Sequence, residues 1–314
     1  TFKAGLNIPL FVTGRINQPQ EAELILARGQ ADVCGMTRAL ICDPQMPNKT
    51  DTGHVEDVRA CIACNQACIG HFHKGLPISC IQHPETGREM IFGQRQPTAK
   101  RKRIMIAGGG PAGMKAAAVA AQRGHDVTLY EASSQLGGQV LLAQLLPRRS
   151  EFGGASTNLQ REMELAGVRV VRNTRVDRAL VEQEKPDMVI VATGAEPYWP
   201  FFERGGELQV VDAWQVLREE VQIGRSVVVV DWRCDWIGPG IAERLTRAGH
   251  QVQLAVNGTH CGENLPLYVR DQLAGELHKL AIPITPYARL YGCDDNTVYL
   301  QHTASGEPML LENI

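Results

Sequence analysis

No stretch of this 314-residue chain is apolar for the roughly 18 consecutive residues that a membrane span requires. Nor is there a charge excess. A net charge of −2 leaves no basic field for nucleic acid or an anionic membrane surface, so neither is expected as a partner. The opening residues lack the charged-then-apolar plan of a signal peptide. An initiator methionine is also missing, and the last residues stop in what reads as a β-meander, so a fragment cut at both ends is expected. What the chain does have is cysteine: nine, unevenly clustered. In a chain large enough to bury a core, that points to metal chemistry in a reducing compartment, hence a cytoplasmic protein, rather than a secreted disulfide scaffold.

Residues 8–43 read as strand, helix, strand. IPLFVTGRI is an apolar run expected to be buried, QPQEAELILARG has helical spacing closed by Gly29, and ADVCGMTRALICDP begins a second strand. Such a βαβ step implies parallel strands. From about Pro44 to Gln96 the periodicity is lost and Gly, Pro, His and Cys dominate, as in a segment folded around a ligand. PTAKRKR then reads as a basic linker. Two further strand–turn–helix–strand units follow, one from Arg103 and one over 225–258, and DMVIVATGAEP supplies another strand.

Four cysteines fall within CIACNQACIGHFHKGLPISC: Cys61, Cys64, Cys68 and Cys80, spaced C-x2-C-x3-C-x11-C. Structural zinc usually takes two separated pairs. Three thiols in a compact loop with one more distal is closer to the pattern of a 4Fe–4S cluster. A zinc knuckle using His71 or His73 is the alternative. Cys34, Cys42, Cys234, Cys261 and Cys293 are scattered and read as buried thiols without a role.

GGGPAG sets Gly108, Gly110 and Gly113 in G-x-G-x-x-G register between a strand and a helix, where glycines let a pyrophosphate approach the helix N-terminus. Glu131 ends the next strand, placed to accept from ribose hydroxyls and unfavourable to a 2′-phosphate. The alternative is a turn that serves packing alone. The third unit has DWRCDWIGPG where its glycines should be. Asp231 and Asp235 would repel a diphosphate, Trp232, Arg233 and Trp236 would fill its space, and Gly238 alone is in register. This reads as a frame that has lost its cofactor; a rearranged NAD(P)H site is the rival.

Together these residues resemble the multidomain iron–sulfur flavoproteins that include trimethylamine dehydrogenase and 2,4-dienoyl-CoA reductase, with the bacterial N-methyl amine demethylases nearest. The resemblance covers the whole chain. It implies an α/β fold: the last strands of an FMN-binding (β/α)8 barrel over 1–50 and an iron–sulfur loop segment over 51–96. Two Rossmann-like three-layer nucleotide-binding domains follow, one inserted in the other. The first, over 97–204, would bind FAD or ADP; the second, over 205–314, would be a degenerate NAD(P)-type domain truncated at the C-terminus. VTGRI and GMTRALICDP resemble the seventh and eighth barrel strands, which would put Gly14, Arg15, Thr37 and Arg38 at the FMN phosphate. Two arginines in surface ion pairs is the plainer alternative. CIACNQAC resembles the reductase's cluster motif, making Cys61, Cys64, Cys68 and Cys80 the ligands. YEASSQLGGQ and IVATGAEP resemble flavin-domain motifs. They imply Ala112 at the pyrophosphate, Glu131 at the ribose, Gln139 and Arg149 along the flavin or diphosphate path, and Val176 at adenine.

The function implied is oxidative demethylation of a small N-methylated amine, with electrons passed through the cluster to an electron-transferring flavoprotein. The degenerate turn sides with dehydrogenases that do not use NADPH. An NADPH-dependent enoate or 2,4-dienoyl-CoA reductase is the runner-up, and a non-catalytic electron-relay or nucleotide-binding module the third reading. The barrel residues that would do acid–base chemistry are not in this chain, so no catalytic residue is assigned and the chain alone is expected to be inactive. Homo-oligomerisation is left open.

Overall fold

The computed structural model describes residues 2–314, for Phe2 the backbone alone. Contacts divide the chain into two compact units: residues up to 141 with 151–194, and residues 142–150 with 195–314.

In the first unit, β1 (Phe11–Thr13) and β2 (Val33–Gly35) pair in parallel across α1 (Pro19–Ala27), Phe11 opposite Val33 and Thr13 opposite Gly35. Pro19 opens the helix where its missing N–H costs nothing. Glu21 turns back to accept from the backbone N–H of Asn17 and Gln18 at 2.6 and 3.1 Å. The βαβ step is therefore as expected, but its burial is not: Ile8 is 64% and Phe11 70% exposed. A two-stranded sheet covers neither of its edges, and among the described residues no third strand joins it. A closed barrel is not shown.

Short helices α2 (Thr37–Cys42), α3 (Met46–Asp51), α4 (Ile69–His73) and α5 (Glu89–Phe92) follow, with no strand between them among the described residues. The chain then builds β3 (Arg103–Ala107), α6 (Pro111–Gln122), β4 (Asp126–Tyr130), α7 (Val140–Ala143), α8 (Gly153–Leu165), β5 (Arg169–Val171), α9 (Arg178–Glu184) and β6 (Met188–Val191). The four strands form one parallel sheet in the order β5-β4-β3-β6. Ile106 and Leu129 in its centre are fully buried against Met114, Ala117 and Ala118 of α6 and Met163 of α8. The small alanines let α6 lie close to the strands, which brings its N-terminus to the carboxyl edge of the sheet.

The second unit contains β7 (Glu203–Arg204), α10 (Ala213–Leu217), β8 (Ser226–Asp231), α11 (Ile237–Arg247), β9 (Gln251–Val256), α12 (Leu267–Lys279) and β10 (Ile284–Thr285), then β11 (Ala288–Cys293), β12 (Thr297–His302) and β13 (Pro308–Glu312). One sheet is parallel, β10-β9-β8. The other, β13-β12-β11-β7, is the expected antiparallel meander with β7 added in parallel at its edge. Leu254, Val256 and Leu277 are buried without residue in the core between β9 and helices α11 and α12. No helix among the described residues is long and apolar enough to cross a membrane.

Candidate functional site

The cysteine loop is tied down before it begins. Asp43, buried at the end of α2, accepts from Gln45 N, Arg59 N and Lys49 Nζ at 3.1, 2.8 and 2.7 Å. Arg59 in turn donates to Glu162 of α8 at 2.6 Å and to the Cys42 carbonyl at 3.0 Å. Lys115 of α6 meets the same Glu162 at 2.8 Å. With that base set, Ala63 and Asn65 take left-handed backbone angles, φ 51° and 58°, that curl the loop tightly. Gly70 N then reaches Asn65 O at 2.8 Å, Ser79 N reaches Ala67 O at 2.7 Å, and the His71 ring bonds Pro77 O at 2.9 Å.

The result is one cavity of about 340 Å³, open mouth included, lined by all four expected cysteines together with Arg38, Ile41, Asn65 and Gln82. Ile62 and Cys64 pack against Ala155 of α8. Burial pushes the Cys64 thiol up to about 12. Burial raises Cys61 too, countered by the nearby Arg38 guanidinium. A tetrahedral zinc ion with 2.3 Å bonds needs thiolates about 3.8 Å apart. Among the described residues, the only trio of metal-ligating side chains with donor atoms within 4.8 Å of one another is His54, Glu56 and Asp57. That trio is mostly exposed, and Asp57 is already paired with Arg161 at 2.7 Å. No three of the cysteine sulfurs lie within 4.8 Å of one another, a wider spacing than a single zinc ion draws its thiolates to. The His71 bond to Pro77 O uses Nδ1 and leaves Nε2 for a ligand. A ligand several ångströms across, held by four separated thiolates, fits.

One thiol behind the wall of this site was missed by sequence reasoning. Cys42, read as a thiol without a role, is 1% exposed and lies beside Cys80 and Cys61. Gln82 donates to its sulfur at 3.3 Å. Neither residue falls in a spacing pattern that would have singled it out. Of the other four, Cys234, Cys261 and Cys293 are buried, but Cys34 is only half-buried.

Gly14 and Arg15 leave the carboxyl end of β1, and Thr37 and Arg38 follow that of β2, so register places all four at one edge of the small sheet. Arg15 is exposed and pairs with Glu151 at 2.7 Å; Arg38 bonds the Asn65 side chain. The plainer alternative describes Arg15 but not Arg38.

At the first glycine turn, a Cβ on Gly108 would fall 2.3 Å from Ala192 O and one on Gly113 would fall 1.9 Å from Gly108 O, so both positions exclude a side chain. At Gly110 a Cβ would meet nothing within 4 Å. That open space lies against the first turn of α6, whose N–H groups at Ala112 and Gly113 have no intrahelical acceptor. This is the shape a pyrophosphate fills. Glu131 accepts from Gly109 N at 2.7 Å and from Ser133 N at 2.8 Å, fixing its carboxylate beside the turn. Gly138 packs on the Gly110 backbone, and the exposed Gln139 lies near Gly194. Half-buried Val176 follows Thr174, whose N–H bonds Glu131 O at 2.9 Å. The structure gathers Gly108, Gly110, Ala112, Gly113 and Glu131 around one turn; Gln139 lies beside Gly194, and Val176 two residues beyond Thr174. Arg149 belongs to the second unit, its guanidinium 5.0 Å above the Trp236 ring.

The corresponding turn of the second unit is filled by its own side chains. Asp231 Oδ1 accepts from Arg233 N and Cys234 N, both at 3.0 Å, and Asp235 Oδ1 accepts from Ile237 N at 2.9 Å. Three N–H groups of this turn are thus taken by carboxylates.

The chain spans about a third to two-fifths of the length of the curated relatives it matches. It is 38% identical over 232 residues to a metal reductase of Desulforamulus reducens, covering 73% of this chain and 35% of that one. It is 34% identical over 284 residues to the N,N-dimethylglycine/sarcosine dehydrogenase of Chromohalobacter salexigens, covering 85% and 40%. The solved structure of 6-hydroxypseudooxynicotine amine oxidase from Pseudomonas geniculata superposes with a TM-score of 0.90 at 26% identity, over 99% of this chain and 48% of the other. The expectation of an oxidoreductase is borne out. Residues 102–307, a stretch opening on β3 and its glycine turn, match the pyridine nucleotide-disulphide oxidoreductases, and the chain belongs to that family.

Proposed function

We propose that this chain is the electron-relay part of a flavin- and 4Fe–4S-dependent amine dehydrogenase that demethylates a small N-methylated amine and delivers the electrons to an electron-transferring flavoprotein. Cys61, Cys64, Cys68 and Cys80 would hold the cluster. Gly108, Gly110, Ala112 and Gly113 would receive the pyrophosphate of FAD or ADP, with Glu131 accepting from its ribose hydroxyls, Val176 at the adenine and Gln139 and Arg149 along the remaining path. Gly14, Arg15, Thr37 and Arg38 would face the FMN phosphate. When bound, FMN would supply two-electron chemistry towards the amine and the cluster one-electron transfer onward. The substrate leaves as an imine, which water converts to formaldehyde and the shorter amine.

The observation that carries this reading is the Asp231 carboxylate seated on the N–H groups of Arg233 and Cys234. It supports a second unit that does not accept NADPH, so electrons enter from the substrate and leave outward. The likeness to a dimethylglycine/sarcosine dehydrogenase points the same way. The likeness to a metal reductase favours the reverse flow, from a reduced nicotinamide towards the flavin. An anaerobic spectral titration separates the two. Bleaching of the flavin band by dimethylglycine but by neither NADH nor NADPH is expected; prompt bleaching by either nucleotide would put the reductase first.

A further inference from the structure

Besides its four thiols, the cysteine cavity is lined by apolar and amide side chains and by one ionic group, the guanidinium of Arg38. Arg38 stands half-buried in the first turn of α2, and its Nη1 donates to the Asn65 side-chain oxygen at 2.5 Å. Asn65 follows Cys64 directly. Its backbone is held at φ 58°, with its carbonyl accepting from Gly70 N at 2.8 Å. The bond spans 27 positions and anchors the guanidinium on the cysteine loop itself. Its acceptor is a neutral amide, so the bond fixes the positive charge in place without cancelling it. Arg15, by contrast, spends its charge on Glu151 at 2.7 Å.

Reduction adds an electron to a cluster that its thiolates already leave negative. A fixed cation on the cavity wall stabilises the reduced form over the oxidised one, and apolar walls weaken the screening of that attraction. We propose that Arg38 is the counter-charge of the cluster, raising its reduction potential, and that Asn65 is the positioning residue that holds the guanidinium against the cavity. This rests on the 4Fe–4S reading above. A guanidinium carries its N–H donors in a planar fork, so the bond to Asn65 leaves others for a phosphate at the sheet edge.

The test uses the full chain reconstituted anaerobically with iron and sulfide and without FMN. The cluster is titrated potentiometrically, its reduced form read by electron paramagnetic resonance. Arg38→Gln should lower the reduced-to-oxidised ratio at a fixed potential about tenfold, a shift of about 59 mV for one electron. Arg38→Lys keeps the charge and should recover most of that shift. Asn65→Ala keeps the guanidinium but unties it, and should lower the potential by less than Arg38→Gln does. A purely structural Arg38 would instead move its Gln and Lys variants alike. Equal potentials in the parent and Arg38→Gln, or equal shifts in the Gln and Lys variants, would overturn the proposal. If Arg38→Gln does not hold its cluster, the other two variants decide. A lowered potential in Asn65→Ala beside a near-parental one in Arg38→Lys upholds the proposal, and any other ordering overturns it. An unaltered protein that takes up no cluster would bring down the 4Fe–4S reading first, and this proposal with it.

Discussion

Gly238 stands so close to Asp231 that a Cβ on the glycine would lie 2.5 Å from both the Cβ and the Cγ of the aspartate. The single glycine in register in the second turn makes room for a carboxylate, whereas in the first turn Gly108 and Gly113 make room for backbone and Gly110 faces open space. Asp231 is 4% exposed, and its Oδ2 has no hydrogen-bond partner among the described residues.

That burial pushes Asp231 up to about 6 from an ordinary value of 3.8. A folded-state value above the unfolded one means that its contribution to stability is whole below pH 3.8 and is lost as the pH rises through 6. The loss is on the order of 3 kcal/mol between pH 4 and 7. Asp231→Asn, which keeps an oxygen for Arg233 N and Cys234 N, should flatten that slope. Urea midpoints of both proteins across this range measure it, and parallel curves would refute the assignment.

Two glycines of the first turn should answer differently to alanine. Gly113→Ala drives a methyl into the Gly108 carbonyl and should destabilise the first unit by about 1–3 kcal/mol, as overpacking does. Gly110→Ala meets nothing, so its thermal midpoint without nucleotide should match the parent while its retention of FAD or ADP falls. Equal nucleotide retention by Gly110→Ala would remove the pyrophosphate from that space.

Glu162 faces two cations, Arg59 at 2.6 Å and Lys115 at 2.8 Å, with its side chain 14% exposed. The site is largely desolvated, yet the Arg59 and Lys115 charges hold the Glu162 carboxyl below its ordinary 4.5. Its contribution is therefore present above pH 4.5 and lost as the pH falls through the lower folded value. Glu162→Gln leaves both cations uncompensated and should cost about 3–5 kcal/mol. Because Arg59 also holds the Cys42 carbonyl, iron retention should drop in the same variant; a change confined to the melting curve would separate the ion cluster from the cysteine loop.

Metal analysis gives the sharpest check on the cysteine cavity. Reconstituted protein should hold about four iron and four sulfide per chain, and Cys64→Ser or Cys68→Ser should lose most of both. Chelation should bleach a broad visible absorption. One zinc per chain and no visible band would reverse the metal assignment.

Local pattern carried a great deal of this protein. Periodicity located β3, α6, β4, β8, α11 and β9, because a strand must alternate with a helix to bury both faces of a parallel sheet. Cysteine spacing located the four-thiol cavity, because a compact loop needs near neighbours in sequence to surround one ligand. The misreadings came where a contact partner lies far along the chain or is not there to be packed against. IPLFVTGRI is apolar enough for a core, but the two-stranded sheet leaves Ile8 and Phe11 exposed.

Composition and spacing alone determined the parallel nucleotide-binding frame, the open first turn, the altered second one and the cysteine set. Only the tertiary structure decided how Asp231 occupies its own turn and that Cys42 is buried against Gln82 of the cavity wall. Cys42 and Gln82 stand 40 positions apart. No local propensity relates them; they meet because Asp43, Arg59 and Asn158 fold the intervening segment back against α8, and a buried amide settles only where every one of its hydrogen bonds can be made.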